Sequence, residues 1–153
     1  MSKCCFLVSY LTAKDIYPLL EESIYKHITE YGVSEFFIND YSSSFCFHDE
    51  YRPFYERIKD ILNKVKLVYK NIKLIYFNPY YLSCEFPVNF LHQNSARTIP
   101  KVIEECNYLI LFDPINNPDQ LEYMNHLYIS MAREREKNGL LHIENLADKV
   151  RSC

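Results

Sequence analysis

Asp113 and Glu122 flank the stretch Pro114, Ile115, Asn116, Asn117, Pro118, and they are the residues of this 153-residue chain best suited to acid–base work. Two carboxyl groups facing one crevice can divide the labour of N-glycosidic cleavage: one protonates a leaving base, the other activates water. The same pair also has ordinary work open to it. Asp113 ends an apolar run, and Glu122 near a helix start is favoured by the helix dipole. Arg97 can reach toward a ligand anion or serve as a surface ion-pair partner. Ser42, Ser43 and Ser44 can hydrogen-bond a ribose or a phosphate, although serine-rich turns are common after strands in any case.

Other residue types promise less. Cys46, His48 and Asp49 have metal-ligand atoms at short spacing, but His92, His126 and His142 are scattered and no second cluster completes a site, so no metal is expected. No GxSxG elbow is present. Tyr10, Tyr41, Tyr80 and Tyr81 fall in segments just after strands and can sandwich a planar group such as a nucleobase. The chain holds 14 Tyr and no Trp, so packing accounts for each of them equally well. Lys59, Lys64, Lys66, Lys70 and Lys73 read as a solvated helix face and not as a nucleic-acid stripe.

Composition narrows the classes. Hydrophobic residues make up 48% and charged residues 24%, which suits a single globular domain spanning 1–153. A formal net charge of -3 gives no global attraction to nucleic acid or to an anionic membrane, and neither is expected as a partner. The six cysteines follow no disulfide framework and form no CxxC. Cys4 and Cys5 sit inside an apolar run, as buried thiols of a reducing compartment would. No apolar stretch approaches the ~20 residues of a membrane span, and the first residues do not resemble a signal peptide. A cytoplasmic protein is expected.

Strand and helix patterns, which must position these side chains, alternate along the whole chain. Apolar runs at Cys4–Ser9, Phe36–Ile38, Ile72–Phe77, Tyr108–Phe112 and Leu140–Ile143 read as strands. Between them lie helical stripes. Ile16, Leu20, Ile24 and Ile28 follow Asp15 as cap and stop before Gly32; Tyr51 to Val65 follows Asp49. A short helix opens at Thr98 and Pro100, and a longer one opens at Asn117 and Pro118 and closes at Asn138 and Gly139. The alternation predicts an α/β Rossmann-like three-layer domain. Its strands, about five and mainly parallel, should carry helices on both faces.

In such sheets ligands bind beyond the carboxyl ends of the strands, near the switch in strand order. That rule selects the loops 9–12, 39–44, 78–83 and 113–119. Within them and on nearby Arg97, Ser9, Tyr10, Asn39, Asp40, Ser42, Ser43, Tyr80, Asn116 and Asn117 are the candidate ligand contacts.

These segments also carry a resemblance. The opening Cys4-Cys5-Phe6, the run YPLLEESI from Tyr17, GVSEFFI from Gly32 and IKLIYFNPYY from Ile72 are similar to the small YpsA-like proteins of the SLOG superfamily. The similarity runs from about Cys4 to Leu146. Together with the alternation it implies the same Rossmann-like fold with strand order 3-2-1-4-5 and the first strand central, and it implies nucleotide-derived ligands and frequent self-association into a homo-oligomer. The chain departs from the family where phosphate would be held. Val8, Ser9 and Tyr10 stand at the usual Gly-His-Arg, Asn39 and Asp40 at a Gly-Gly pair, and Pro114 to Glu122 at the Pro-Gly-Gly and Thr-x-x-Glu of the phosphoribohydrolase branch. Gly32 and Gly139 are the chain's two glycines, and both read as helix ends. Glycine lets backbone N–H groups approach a phosphate. Carboxylates in its place repel one by about 4 kcal/mol at ~4 Å and an effective dielectric near 20.

The expected function is a non-catalytic or regulatory binding domain for a small, nucleotide-derived ligand, with no resident cofactor. Two readings stand beside it: a nucleoside or nucleotide N-glycosidic hydrolase using Glu122 and Asp113, and a pseudoenzyme acting through protein–protein contacts.

Overall fold

A computed structural model of the chain describes residues 2–8, 16–39, 52–77, 95–112 and 123–151. Five strands are present: β1 (Ser2–Val8), β2 (Val33–Asn39), β3 (Lys73–Phe77), β4 (Tyr108–Phe112) and β5 (His142–Asn145). Among the described residues five helices accompany them: α1 (Tyr17–Thr29), α2 (Arg52–Val68), α3 (Ser95–Glu105), α4 (Tyr123–Lys137) and α5 (Leu146–Arg151). The strands form one sheet in the order β3-β2-β1-β4-β5, every neighbouring pair parallel. This is the Rossmann-like arrangement that the alternating patterns predicted.

Period-two alternation explains why the strands are apolar on both sides. Cys4, Phe6, Phe36, Ile38, Ile110 and Phe112 face one core layer, where α1, α2 and α5 contribute Leu20, Ile24, Ile58, Leu62 and Leu146. Cys5, Leu7, Phe37, Phe77, Leu109 and Leu111 face the other, where α3 and α4 contribute Val102, Ile103, Ile129 and Ala132. The adjacent Cys4 and Cys5 thus serve opposite faces, and with Cys106 they are buried free thiols. Phe6 stacks on Phe36 with ring centroids 6.1 Å apart, tying β1 to β2. Burying each such side chain contributes roughly 1.5–3 kcal/mol.

Several boundaries differ from the sequence expectation, each for a local reason. The last strand begins at His142 and not at Leu140. Gly139, at φ 74, closes α4: its N–H donates to the Glu136 carbonyl at 3.0 Å and the Leu140 N–H to that of Arg135 at 2.9 Å. This pair of hydrogen bonds is a Schellman closure, so the Leu140 N–H is spent on the helix and its side chain is exposed. The third helix starts three residues earlier than expected, at Ser95, and carries Pro100 inside it. At α1 the capping position is Ile16, which makes no side-chain cap bond, while Asp15 lies outside the described residues. The terminal helix α5 has no counterpart in the sequence reading. Asn145 starts it by accepting the Ala147 N–H on Oδ1 at 3.1 Å, and Leu146 and Ala147 are buried.

Candidate functional site at the carboxyl edge of the sheet

The topology creates the switch in strand order. From β1 the chain moves to β2 and β3 on one side, then crosses to β4 and β5 on the other. The carboxyl ends of β1 and β4 lie side by side, with Val8 in register with Phe112. Asn39 is in register with Phe77 at the neighbouring strand ends. The helix after β1, α1, packs on one face of the sheet and the helix after β4, α4, on the other, and ligands usually bind near such a switch point in this architecture.

Asn39 is the described residue of most interest at this edge. It is the last residue of β2 and not part of the following loop, a correction to its assignment from sequence. Alternation from Phe37 turns it toward the layer of α3 and α4. It is 2% exposed, and its Oδ1 is buried with no hydrogen-bond partner among the described residues. A buried carbonyl oxygen in that condition costs about 1–3 kcal/mol. Asn145, at the end of β5, differs: its oxygen caps α5.

Of the other candidate contacts, Arg97 lies in the first turn of α3. Ser9, Tyr10, Asp40, Ser42, Ser43, Tyr80, Asp113, Asn116, Asn117 and Glu122 lie outside the described residues, as do Tyr41, Tyr81, Ser44, Cys46, His48 and Asp49. Among the described residues no three His, Cys, Asp or Glu side chains come together as a metal site, and no helix is long and apolar enough to cross a membrane. Of the five lysines read as one helix face, Lys70 lies in the turn after α2 and Lys73 opens β3, a correction to the sequence reading, while the three on α2 have partners within the chain. Lys64 pairs with Glu21 at 3.2 Å, Lys66 donates to the Ile72 carbonyl at 3.1 Å, and Lys59 lies over the Tyr76 ring.

A second polar cluster, at the opposite edge, was missed by sequence reasoning. His27 is fully buried on α1 and its Nδ1–H donates to the Ser23 carbonyl at 2.7 Å, which fixes the tautomer and leaves Nε2 as an unpartnered acceptor among the described residues. The rings of Tyr31 and Tyr108, stacked within 4° of parallel, both meet the His27 ring at 90°. Burial holds His27 below its ordinary pKa, outweighing the Ser23 carbonyl and the Glu144 charge. Burial alone would raise the Glu144 carboxyl. The Ser23 hydroxyl and Lys149 reverse this and hold it below the ordinary carboxylate range. Glu144 is ion-paired on both sides, to Lys149 at 3.3 Å and Lys26 at 3.5 Å. The sequence signal was available: Ser23 and His27 fall on the same stripe as Leu20 and Ile24, so a polar pair four residues apart interrupts an apolar face.

A cleft of about 540 Å³ also opens at the amino edge, between the ends of α1 and α2. It is lined chiefly by Ile28, Val33, Val68 and Ile72, with Lys70 the one charged residue among its described lining. Compared with family models, curated proteins and solved structures, the chain matches none. Its function has to be read from its own residues.

Proposed function

We propose that this chain is a non-catalytic binding domain for a small, nucleotide-derived ligand, seated beyond the carboxyl ends of β1, β2 and β4. The observation that carries this reading is the buried Oδ1 of Asn39, without a partner among the described residues, beside the switch in strand order. A desolvated acceptor at the usual ligand position is satisfied when a ligand donates to it. The similarity to YpsA-like SLOG proteins supports the ligand class, and the tyrosines at 10, 41, 80 and 81 supply stacking partners for a planar base. The absence of glycine from the segments after the strands argues against the family's phosphate chemistry and so against catalysis by Asp113 and Glu122. We read the protein as a divergent SLOG member of the cytoplasm that self-associates; the three buried free thiols suit a reducing compartment.

Native mass spectrometry of the protein purified without denaturation tests the reading, with identification of whatever small molecule is released. A nucleoside- or nucleotide-type mass, rebinding on addition, is expected. Release of free base from nucleoside monophosphates by the wild type, abolished in Glu122→Ala with the fold intact by circular dichroism, would overturn the non-catalytic assignment. No adduct and no binding across a nucleoside and nucleotide panel would overturn the ligand class.

A further inference from the structure

Residues 61–77 contain four lysines, Lys64, Lys66, Lys70 and Lys73, and no carboxylate. They cover the second half of α2, the turn after it and all of β3. Because the chain enters β3 at Lys73, that turn lies at the amino edge of the sheet, opposite the ligand position proposed above. In the last turn of α2, Leu67 is 76% exposed and Val68 69% exposed. The two are adjacent and stand between Lys66 and Lys70. Val68 also lines the amino-edge cleft, so apolar surface continues from it to Ile28, Val33 and Ile72, with the half-buried Tyr69 alongside.

The cations are available to a partner. Among the described residues the side chains of Lys70 and Lys73 make no ion pair or hydrogen bond. Lys66 gives one of its donors to the Ile72 carbonyl, and the Lys64–Glu21 pair is exposed. Glu30, exposed at the C-cap of α1, offers one negative charge against these four. The sequence expectation of no membrane partner rests on the formal net charge of -3. Exposed charges reach only a Debye length, about 8 Å at physiological ionic strength, so a facing surface feels this patch and not the whole chain.

Charge and shape decide between occupants. A second copy docked through the same face about a twofold axis would set four lysines against four. An acidic protein would need pockets shaped to Leu67 and Val68. An anionic bilayer asks for no matching shape: aliphatic side chains enter the acyl boundary, lysine stems lie along it with their heads among the phosphates, and tyrosine suits the interface. We infer that the protein docks on an anionic phospholipid surface through the end of α2, inserting Leu67 and Val68 with Lys64, Lys66, Lys70 and Lys73 around them. The carboxyl edge then points away from the bilayer and stays open to its ligand.

Sedimentation of the full chain with vesicles tests this directly. One set is phosphatidylcholine alone, and in the other about one lipid in three is phosphatidylserine. Partition into the anionic vesicles should be at least tenfold stronger than into the neutral ones and should fall as salt is added. Leu67→Ser with Val68→Ser, and separately Lys66→Gln with Lys70→Gln, should each weaken it at least fivefold with the fold intact by circular dichroism. Leu140→Ser, at an exposed leucine elsewhere, should leave it unchanged. No sedimentation at physiological salt, or equal sedimentation with both vesicle types, overturns the inference. So does anionic binding that the Leu67 and Val68 exchange leaves intact, because the side chains would then not insert. Failure with vesicles together with binding of polyglutamate that the lysine exchange abolishes would assign the patch to an acidic protein instead.

Discussion

Replacing Asn39 by leucine should make the ligand-free protein more stable. The wild-type residue buries an amide oxygen without a described partner, at a cost of about 1–3 kcal/mol. Leucine branches at the same carbon as asparagine and is somewhat larger, so the exchange leaves no cavity and asks for only modest repacking against Phe37 and Phe77. Against the gain stands the removal of the amide N–H donor, whose hydrogen bonding is worth about 1 kcal/mol. The net expectation is a stabilisation of about 1 kcal/mol, which for a chain of this size raises Tm by roughly 2–4 °C.

Urea unfolding measures it. With m of about 1–3 kcal/mol per molar, the midpoint should rise by roughly 0.3–1 M at unchanged m. The protein must be stripped of ligand first, because a molecule bound to the wild type would add its own stabilisation and reverse the ranking. Asn39→Asp is the useful opposite. It places a charge in the same desolvated position and should destabilise the protein at neutral pH. If Asn39→Leu instead lowers stability by more than about 1 kcal/mol, the oxygen is bonded in the free protein, and Asn39 is not waiting for a donor from a ligand.

The opposite edge and the turn after α4 yield two more expected outcomes. His27 has a folded-state pKa below its unfolded value, so the unfolded chain binds the extra proton first, and stability is lost as pH falls from about 6.5 through the folded value. The groups facing it are Ser23, Lys26, Tyr31, Tyr108, His142 and Glu144. Glu144, also depressed, adds its loss only below the ordinary carboxylate pKa near 4.5, so the two windows separate. His27→Phe should flatten the pH dependence of urea unfolding below about pH 6.5 and above the carboxylate range, by up to one proton or about 1.4 kcal/mol per pH unit; an unchanged slope would show that His27 does not couple to folding. Gly139→Ala should cost about 1 kcal/mol by the same assay. Gly139 stands at φ 74 with open space where a Cβ would sit, so the loss is backbone strain alone. Asn at that position should recover part of it.

The fold class was legible because continuous apolar runs and capped helical stripes are local signals whose alternation gives a parallel sheet, while the order 3-2-1-4-5 was expected only with the family resemblance added. The features that failed to show were set by backbone hydrogen bonds between neighbours in space. Leu140 reads as a strand residue by hydropathy, but the Schellman bond to Arg135 takes its N–H. Leu146 and Ala147 were assigned to no element from sequence, yet they are buried in the helix that Asn145 caps. Asn39 was placed correctly at the carboxyl edge but assigned to the loop, since a polar residue after Phe36, Phe37 and Ile38 signals a strand's end. Its burial comes from pairing beside β3, where Phe77 is its partner in register, and that cannot be read from one segment. Ser23 and His27 escaped for the opposite reason: they look like an incidental break in an apolar stripe.

Buried polar atoms without a described hydrogen-bond partner occur at both edges of the sheet, and their surroundings give them different meanings. His27 Nε2 belongs to a neutral ring whose other nitrogen is bonded, and the faces around it are the edges and planes of Tyr31 and Tyr108. Glu144 is ion-paired to Lys26 and Lys149, although its Oε1 also lacks a hydrogen-bond partner among the described residues. These ion pairs and ring contacts pin α1 to β4 and β5. Asn39 Oδ1 has no such compensation among the described residues. It ends a strand where the chain leaves the sheet, beside the one place where the strand order reverses. A buried acceptor in that position is unfavourable in the free protein and is relieved by a molecule that donates a hydrogen bond to it.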